Sequence, residues 1–169
     1  MSFLKNLFGK KEEKKPPRDP RIDDLRLGDV LLHFDDSYVV EQIITYHENG
    51  FFWYDYRLED GSGEQLWLSV EDDDELIVGL YKPVDVTLTE APGKTFEVAG
   101  ELFTLVEKGK ADAHIKRQNS ESKSKVTHWD FQSGEKLLSI SQWGEGDFDL
   151  SVGRQVNPVE LDLLPGAEL

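Results

Sequence analysis

The sequence predicts an all-β domain. It consists of two tandem related antiparallel β-meanders packed as one sandwich or barrel-like unit, with a short C-terminal helix and a flexible N-terminal arm. Three observations predict this. First, Glu64-Gln65-Leu66-Trp67-Leu68-Ser69-Val70 recurs in shorter form as Glu135-Lys136-Leu137-Leu138-Ser139-Ile140. Second, the surroundings recur as well. Each run follows a glycine turn (Gly61-Ser62-Gly63, then Ser133-Gly134) and an aromatic strand (Trp53-Tyr54-Asp55-Tyr56, then His128-Trp129-Asp130-Phe131). Each leads on to a further strand pattern, 75–80 and 147–152. Third, no stretch of the body carries a long 3.6-residue apolar period, and short alternating runs come at hairpin spacing.

The body is placed at 23–169, with repeat one over 23–84 and repeat two over 85–169. Asp23-Asp24-Leu25-Arg26-Leu27-Gly28 reads as one helical turn closed by glycine. Strands follow at 29–34, 37–46, 50–58, 64–70 and 75–81, separated by Asp-, Asn- and Gly-rich turns. Val39, Val40, Ile43 and Ile44 would also suit a helical face, but their β-branched content favours a strand. Pro83 and Pro92 limit pairing in the segment that joins the halves. The second set reads 94–98, 101–107, 111–118, 125–132, 135–142 and 147–152. Asn157-Pro158-Val159-Glu160 places a cap, a proline at the first helical position and a glutamate two further on, predicting a helix to about Leu164.

The chain has 169 residues, no cysteine and a formal charge of −15. Thiol chemistry is excluded, and a reducing, cytoplasmic setting is expected. Nucleic acid is not expected as a partner, because phosphate contacts need a basic surface. The charge is uneven: residues 1–22 hold seven Lys and Arg against three Asp and Glu, while the rest holds 12 against 31.

That basic arm, 1–22, is the first candidate site. On a helical wheel Phe3, Leu4, Leu7 and Phe8 share one half, with Lys5, Lys10 and Lys11 beside or opposite them. So short a helix is marginal in water and needs a surface to fold against. An anionic membrane supplies one, each lysine near it contributing about 1 kcal/mol. A Pro-rich linker follows.

Leu27-Gly28-Asp29-Val30, Tyr38-Val39-Val40, Trp53 to Leu58 and Trp67-Leu68-Ser69-Val70-Glu71 resemble a bacterial family catalogued as domain of unknown function 4178. The resemblance covers the first half well, and the second half reads as a diverged copy. It implies no catalytic residues. It does imply an association with membrane-linked or stress-linked systems of the phage-shock type and with polyamine-synthase-like proteins, and hence a partner protein at the envelope.

Within the body, Phe51, Trp53 and Asp55 would share one strand face and Phe52, Tyr54 and Tyr56 the other. Phe52, Tyr54 and Tyr56 are the candidate partner-facing set, since Trp and Tyr dominate interface hot spots. A strand buried on both faces is the competing reading. Residues 108–125 hold six basic residues against Asp112 and Glu121. Lys116, Arg117, Lys123 and Lys125 are therefore candidates for docking an acidic partner, with a polar and mobile tip at 118–124. If 114 lies opposite 128, then Asp112, His114, His128 and Asp130 would converge as a metal set, which one residue of slip destroys. Asp72-Asp73-Asp74 lacks the spacing of a calcium loop and reads as a solvated turn. No phosphate loop, nucleophile elbow or catalytic constellation is present, so no cofactor is expected.

The expectation is a non-catalytic cytoplasmic adaptor, tethered weakly at the inner face of the membrane by residues 1–11. It would bind an unidentified protein, and a homodimer is compatible with the charge pattern. The alternative is a small-molecule or metal-binding β domain with its site between the repeats.

Overall fold

The computed structural model describes residues 18–166; the arm residues Phe3, Leu4, Lys5, Leu7, Phe8, Lys10 and Lys11 lie outside them. Eleven strands follow in order: β1 (Val30–His33), β2 (Asp36–Glu48), β3 (Phe51–Glu59), β4 (Gln65–Asp72), β5 (Leu76–Pro83), β6 (Thr95–Val98), β7 (Glu101–Arg117), β8 (Ser120–Ser133), β9 (Lys136–Gly144), β10 (Asp147–Val156) and β11 (Leu161–Leu164). The predicted all-β class and the paired meanders hold. Three elements differ from expectation. Residues 23–28 form consecutive turns, with Gly28 at φ 87°, and no helix. The stretches 101–107 and 111–118 are one 17-residue strand. The C-terminal helix is only a 3-10 turn, Pro158–Glu160. Leu161 is buried and β11 pairs with β1, so the period-two Leu161/Leu163 pattern outweighs the capping signal.

All strand pairs are antiparallel, in the order β11-β1-β2-β3-β4-β5-β10-β9-β8-β7-β6, and β2 also pairs with β7. That last pairing, Gln42–His47 against Asp112–Arg117, closes eight strands into a ring, four from each repeat. The choice between sandwich and barrel is thereby decided for a ring.

The repeats match in detail. β1 forms a hairpin with β2 and β6 forms one with β7, and each hairpin turn holds a non-glycine residue at positive φ, Phe34 and Ala99. A bulge follows at the same distance from each turn, between Val40 and Gln42 and between Leu105 and Glu107. Equivalent strands therefore meet at both seams. Where β2 meets β7, His47 pairs with Asp112. Where β5 meets β10, Tyr81 pairs with Gly153. In the matched repeats these are corresponding positions, so a pseudo-twofold axis passes through both pairs. Two large side chains on one face cannot share such an axis. A Cβ on Gly153 would lie 2.1 Å from the Leu80 carbonyl oxygen and 2.8 Å from the Tyr81 ring, which occupies that space. Exact symmetry is broken there.

The cores lie outside the ring. Tyr56, Leu58, Leu68, Val70 and Val78 are covered by Leu25, Leu31 and Leu161. Trp129, Phe131, Leu138, Ile140 and Leu150 are covered by Val98 and by Val84, Leu88 and Phe96. Each short strand and its preceding segment thus acts as a flap sealing the apolar outer face of its own repeat.

Candidate functional site

The alternate face of the same strands lines the interior. On β3 the core residues Tyr56 and Leu58 alternate with Trp53 and Asp55; on β4 Leu68 and Val70 alternate with Trp67, Ser69 and Glu71. The interior is wide because the strands are staggered. Paired residues followed round the ring from Gln42 through Arg57, Trp67, Tyr81, Gly153, Leu137 and Gln132 reach β7 at Thr104. Gln42's own partner on β7 is Arg117, thirteen residues away. Tilt, stagger and diameter are linked, and this stagger leaves eight strands room for more than their own side chains. The result is an open cavity of about 1110 Å³.

The bulge in β2 assigns its residues to the two faces. Before it, Tyr38 and Val40 face the first core; after it, Ile44 and Tyr46 join Ala111, Ala113 and Val126 in an apolar cluster on the lumen side of the closing seam. The small side chains of Ala111 and Ala113 leave space for Tyr46, which stacks on Trp53 at 5.0 Å and lies 6.3 Å from Trp143.

Carboxylates occupy the rest of the wall. Asp55 sits deep in it. Burial pushes its pKa up, hydroxyl donors on Tyr46 and Ser69 pull it back, and Asp130 and Glu71 add repulsion; the balance is about 6. Glu71 is raised by burial and by Asp130 and Glu107, and lowered by His128. Asp149 is raised by burial and by Asp147, although Trp143 donates a hydrogen bond to it. Asp55, Glu71, Glu107, Asp130 and His128 thus act on one another across four strands.

His128 is clamped within it. Nε2 lies 3.0 Å from Glu48 Oε2 and Nδ1 lies 3.4 Å from Asp130 Oδ2, with the Trp53 ring edge-on at 5.5 Å. Burial opposes its charge, yet hydrogen bonds to both carboxylates hold its pKa at about 9. Gly109, opposite it on β7, makes the clamp possible: a Cβ there would lie 2.2 Å from Glu48 Oε1 and 2.7 Å from His128 Nε2.

The metal set expected from the sequence does not form. β8 pairs His128 with Gly109 and Asp130 with Glu107, while His114 faces Lys123 and Asp112 faces Lys125. The physical reason is the hairpin tip. The ladder runs to Arg117–Ser120, leaving a two-residue turn of Gln118 and Asn119, so the polar tip is mostly strand and the register is far from the one a convergent set requires. Among the described residues no group of three or more His, Asp and Glu is placed to hold a metal ion.

The partner-facing candidates separate. Tyr56 is 1% exposed in the first core, so it lies on no available surface, and Tyr54 packs half-buried beside it. Phe52 is exposed, stacked on His47 at one mouth of the ring, with Phe51, Leu76 and Ile77 also exposed. Lys116, Arg117, Lys123 and Lys125 are all exposed, and Arg117 also donates its Nε to Gln42 at 2.9 Å. Trp67, Tyr81, Asp149 and Trp143 belong to the cavity and were not singled out by sequence; the period-two alternation on β4 and β9 was the available signal.

A family model described as Domain of unknown function (DUF4178) matches residues 26–158. An uncharacterized protein of Mycobacterium bovis and its counterparts in two strains of Mycobacterium tuberculosis are each 28% identical over 148 residues, covering 82% of this chain and 70% of theirs. No solved structure matches the chain significantly.

Proposed function

We propose that this chain, which belongs to the DUF4178 family, is a non-catalytic binding domain whose small-molecule site is the lumen enclosed by its two repeats. The observation that carries this reading is the cavity of about 1110 Å³, walled by aromatic and acidic side chains. Protein interiors are normally close-packed. Here the packing that stabilises the fold is on the outer faces, which leaves the inner face free to specialise. Concave sites of this size, with aromatic side chains in the wall and polar groups set among them, are the usual small-molecule sites.

A thermal-shift screen of a small-molecule library tests this. The comparison protein is the Ser139→Phe/Ser151→Phe variant, which partly fills the lumen from two paired positions. Compounds that raise the melting temperature of the wild type and not of a folded filled variant support the reading. A library in which every stabiliser acts equally on both sinks it.

The adaptor reading has one specific support, the apolar rim of Phe51, Phe52, Leu76 and Ile77 at the same mouth. On that reading residues 1–20 tether the domain to the inner face of the membrane while the rim meets a protein. Flotation of full-length and 1–20-deleted chains with anionic vesicles tests the tether, and equal flotation of both would end it.

A further inference from the structure

We propose that the lumen selects a soluble organic cation, a molecule with an ammonium head on an apolar body. This rests on the lumen being the binding site. Three features of the wall point the same way. Trp53, Trp67 and Trp143, three of the four tryptophans, line the cavity together with Tyr46 and Tyr81. Aromatic faces attract cations and accept the apolar body of the same molecule.

The charge balance is one-sided. Nine carboxylates line the cavity, against Arg117 and His128. His128 is neutralised between Glu48 and Asp130, which leaves Arg117, exposed and hydrogen-bonded to the neutral amide of Gln42, as one cation against the remaining seven carboxylates. Among the described residues Asp55, Glu71 and Asp149 have no ion-pair partner; Glu71 and Asp149 reach solvent, while Asp55 lies deeper in the wall and is satisfied by hydroxyls alone. An enclosed carboxylate without a counter-charge is unfavourable. A ligand ammonium supplies that charge, a neutral ligand leaves the carboxylates uncompensated, and an anion adds to their repulsion.

The acids are also spread over several strands with aromatic rings between them. Hard metal ions need oxygen ligands converging at 2–2.6 Å. A large, weakly hydrated cation suits the dispersed arrangement better. The rim carboxylates Glu71, Asp72, Asp73 and Glu107 repel the phosphate of a lipid headgroup, which favours a free amine.

The test holds the apolar body constant and changes the head. Hexylammonium, hexyltrimethylammonium, 1-hexanol and hexanoate are titrated into the full-length protein at pH 8, read by calorimetry and tryptophan fluorescence. The expected result is that both cations bind at least tenfold more tightly than hexanol, with hexanoate weakest. Asp55→Asn should weaken the cations about tenfold and leave hexanol unchanged; Glu71→Gln, at the mouth, should give a smaller loss and serves if the first variant does not fold. Hexanol or hexanoate binding as tightly as the amines, and lost in the Ser139→Phe/Ser151→Phe variant, overturns the cation and leaves the lumen standing. No binding by any of the four also overturns the cation. Amine binding unchanged in both the filled variant and Asp55→Asn removes the lumen as well. Vesicles of phosphatidylethanolamine captured by the wild type and not by the filled variant would assign a lipid headgroup and overturn the free amine.

Discussion

The two faces of the barrel wall are built from the same strands and have opposite characters. On the outside, Leu58, Leu68, Val70, Val78 and Ile140 are fully buried beneath the flaps. On the inside, one residue away along the chain, stand Ser69, Glu71, Ser139 and Ser141, with Asp55 beside the buried Tyr56. Globular β domains more often place their apolar residues inside the ring. Moving the core to the outer faces separates stability from recognition: substitutions on one face should change folding, and substitutions on the other should change binding.

The strongest test of that separation is paired truncation. Leu58→Ala or Leu68→Ala should destabilise the protein by about 2–5 kcal/mol. Ser141→Ala, on the lumen face, should fall within about 0.5 kcal/mol, by denaturant unfolding. Comparable losses would merge the two faces energetically.

The His128 clamp is the exception, a group on the lumen face that contributes to stability, and pH exposes it. Its folded pKa of about 9 lies above the ordinary 6.5, so its stabilisation is fully present below pH 6.5 and is lost as pH rises through 9. The shift corresponds to roughly 3 kcal/mol. His128→Gln should flatten the fall in melting temperature between pH 6.5 and 9.

The seams allow a sharper contrast. Gly153→Ala drives a methyl against the Leu80 backbone and should destabilise by about 1–3 kcal/mol. Gly79→Ala meets only the edge of the Tyr81 ring, which can swing, and should do much less.

Asp55 runs the other way. Its raised pKa means that folding opposes its ionisation, a penalty absent below the ordinary 3.8, growing as pH rises from there to about 6 and constant above. Asp55→Asn should therefore raise stability at pH 8 by about 1–2 kcal/mol while weakening ligand binding, the trade expected where function maintains a strained group. Smallest of all, Lys125→Ala removes one exposed pair with Asp112 and should change stability by less than about 0.5 kcal/mol.

Much of this was legible in the chain. Alternation located ten of the strands and the internal repeat announced the paired meanders. The site was not legible, and the bulges explain why. Tyr38, Val40, Gln42, Ile44 and Tyr46 look like one continuous buried face, yet the residue skipped between Val40 and Gln42 sends the first two into a core and the rest into the lumen. No glycine marks either bulge. The register of β7 on β8 was equally hidden, because its turn, Gln118-Asn119, lacks a glycine and the strands run on through a polar stretch. Ring closure depends on β2 meeting β7 across some 70 residues of chain, which no local pattern encodes.

Asp29, buried near the start of β1, receives Arg18 from before the barrel, the Arg26 backbone amide beside it and the Gly166 amide from beyond β11. One carboxylate thus clasps both ends of the described chain. Residues 18 and 166 are thereby held close together, on one carboxylate. A gene rearranged to begin at an exposed loop elsewhere would need only a short bridge to join residue 166 to residue 18.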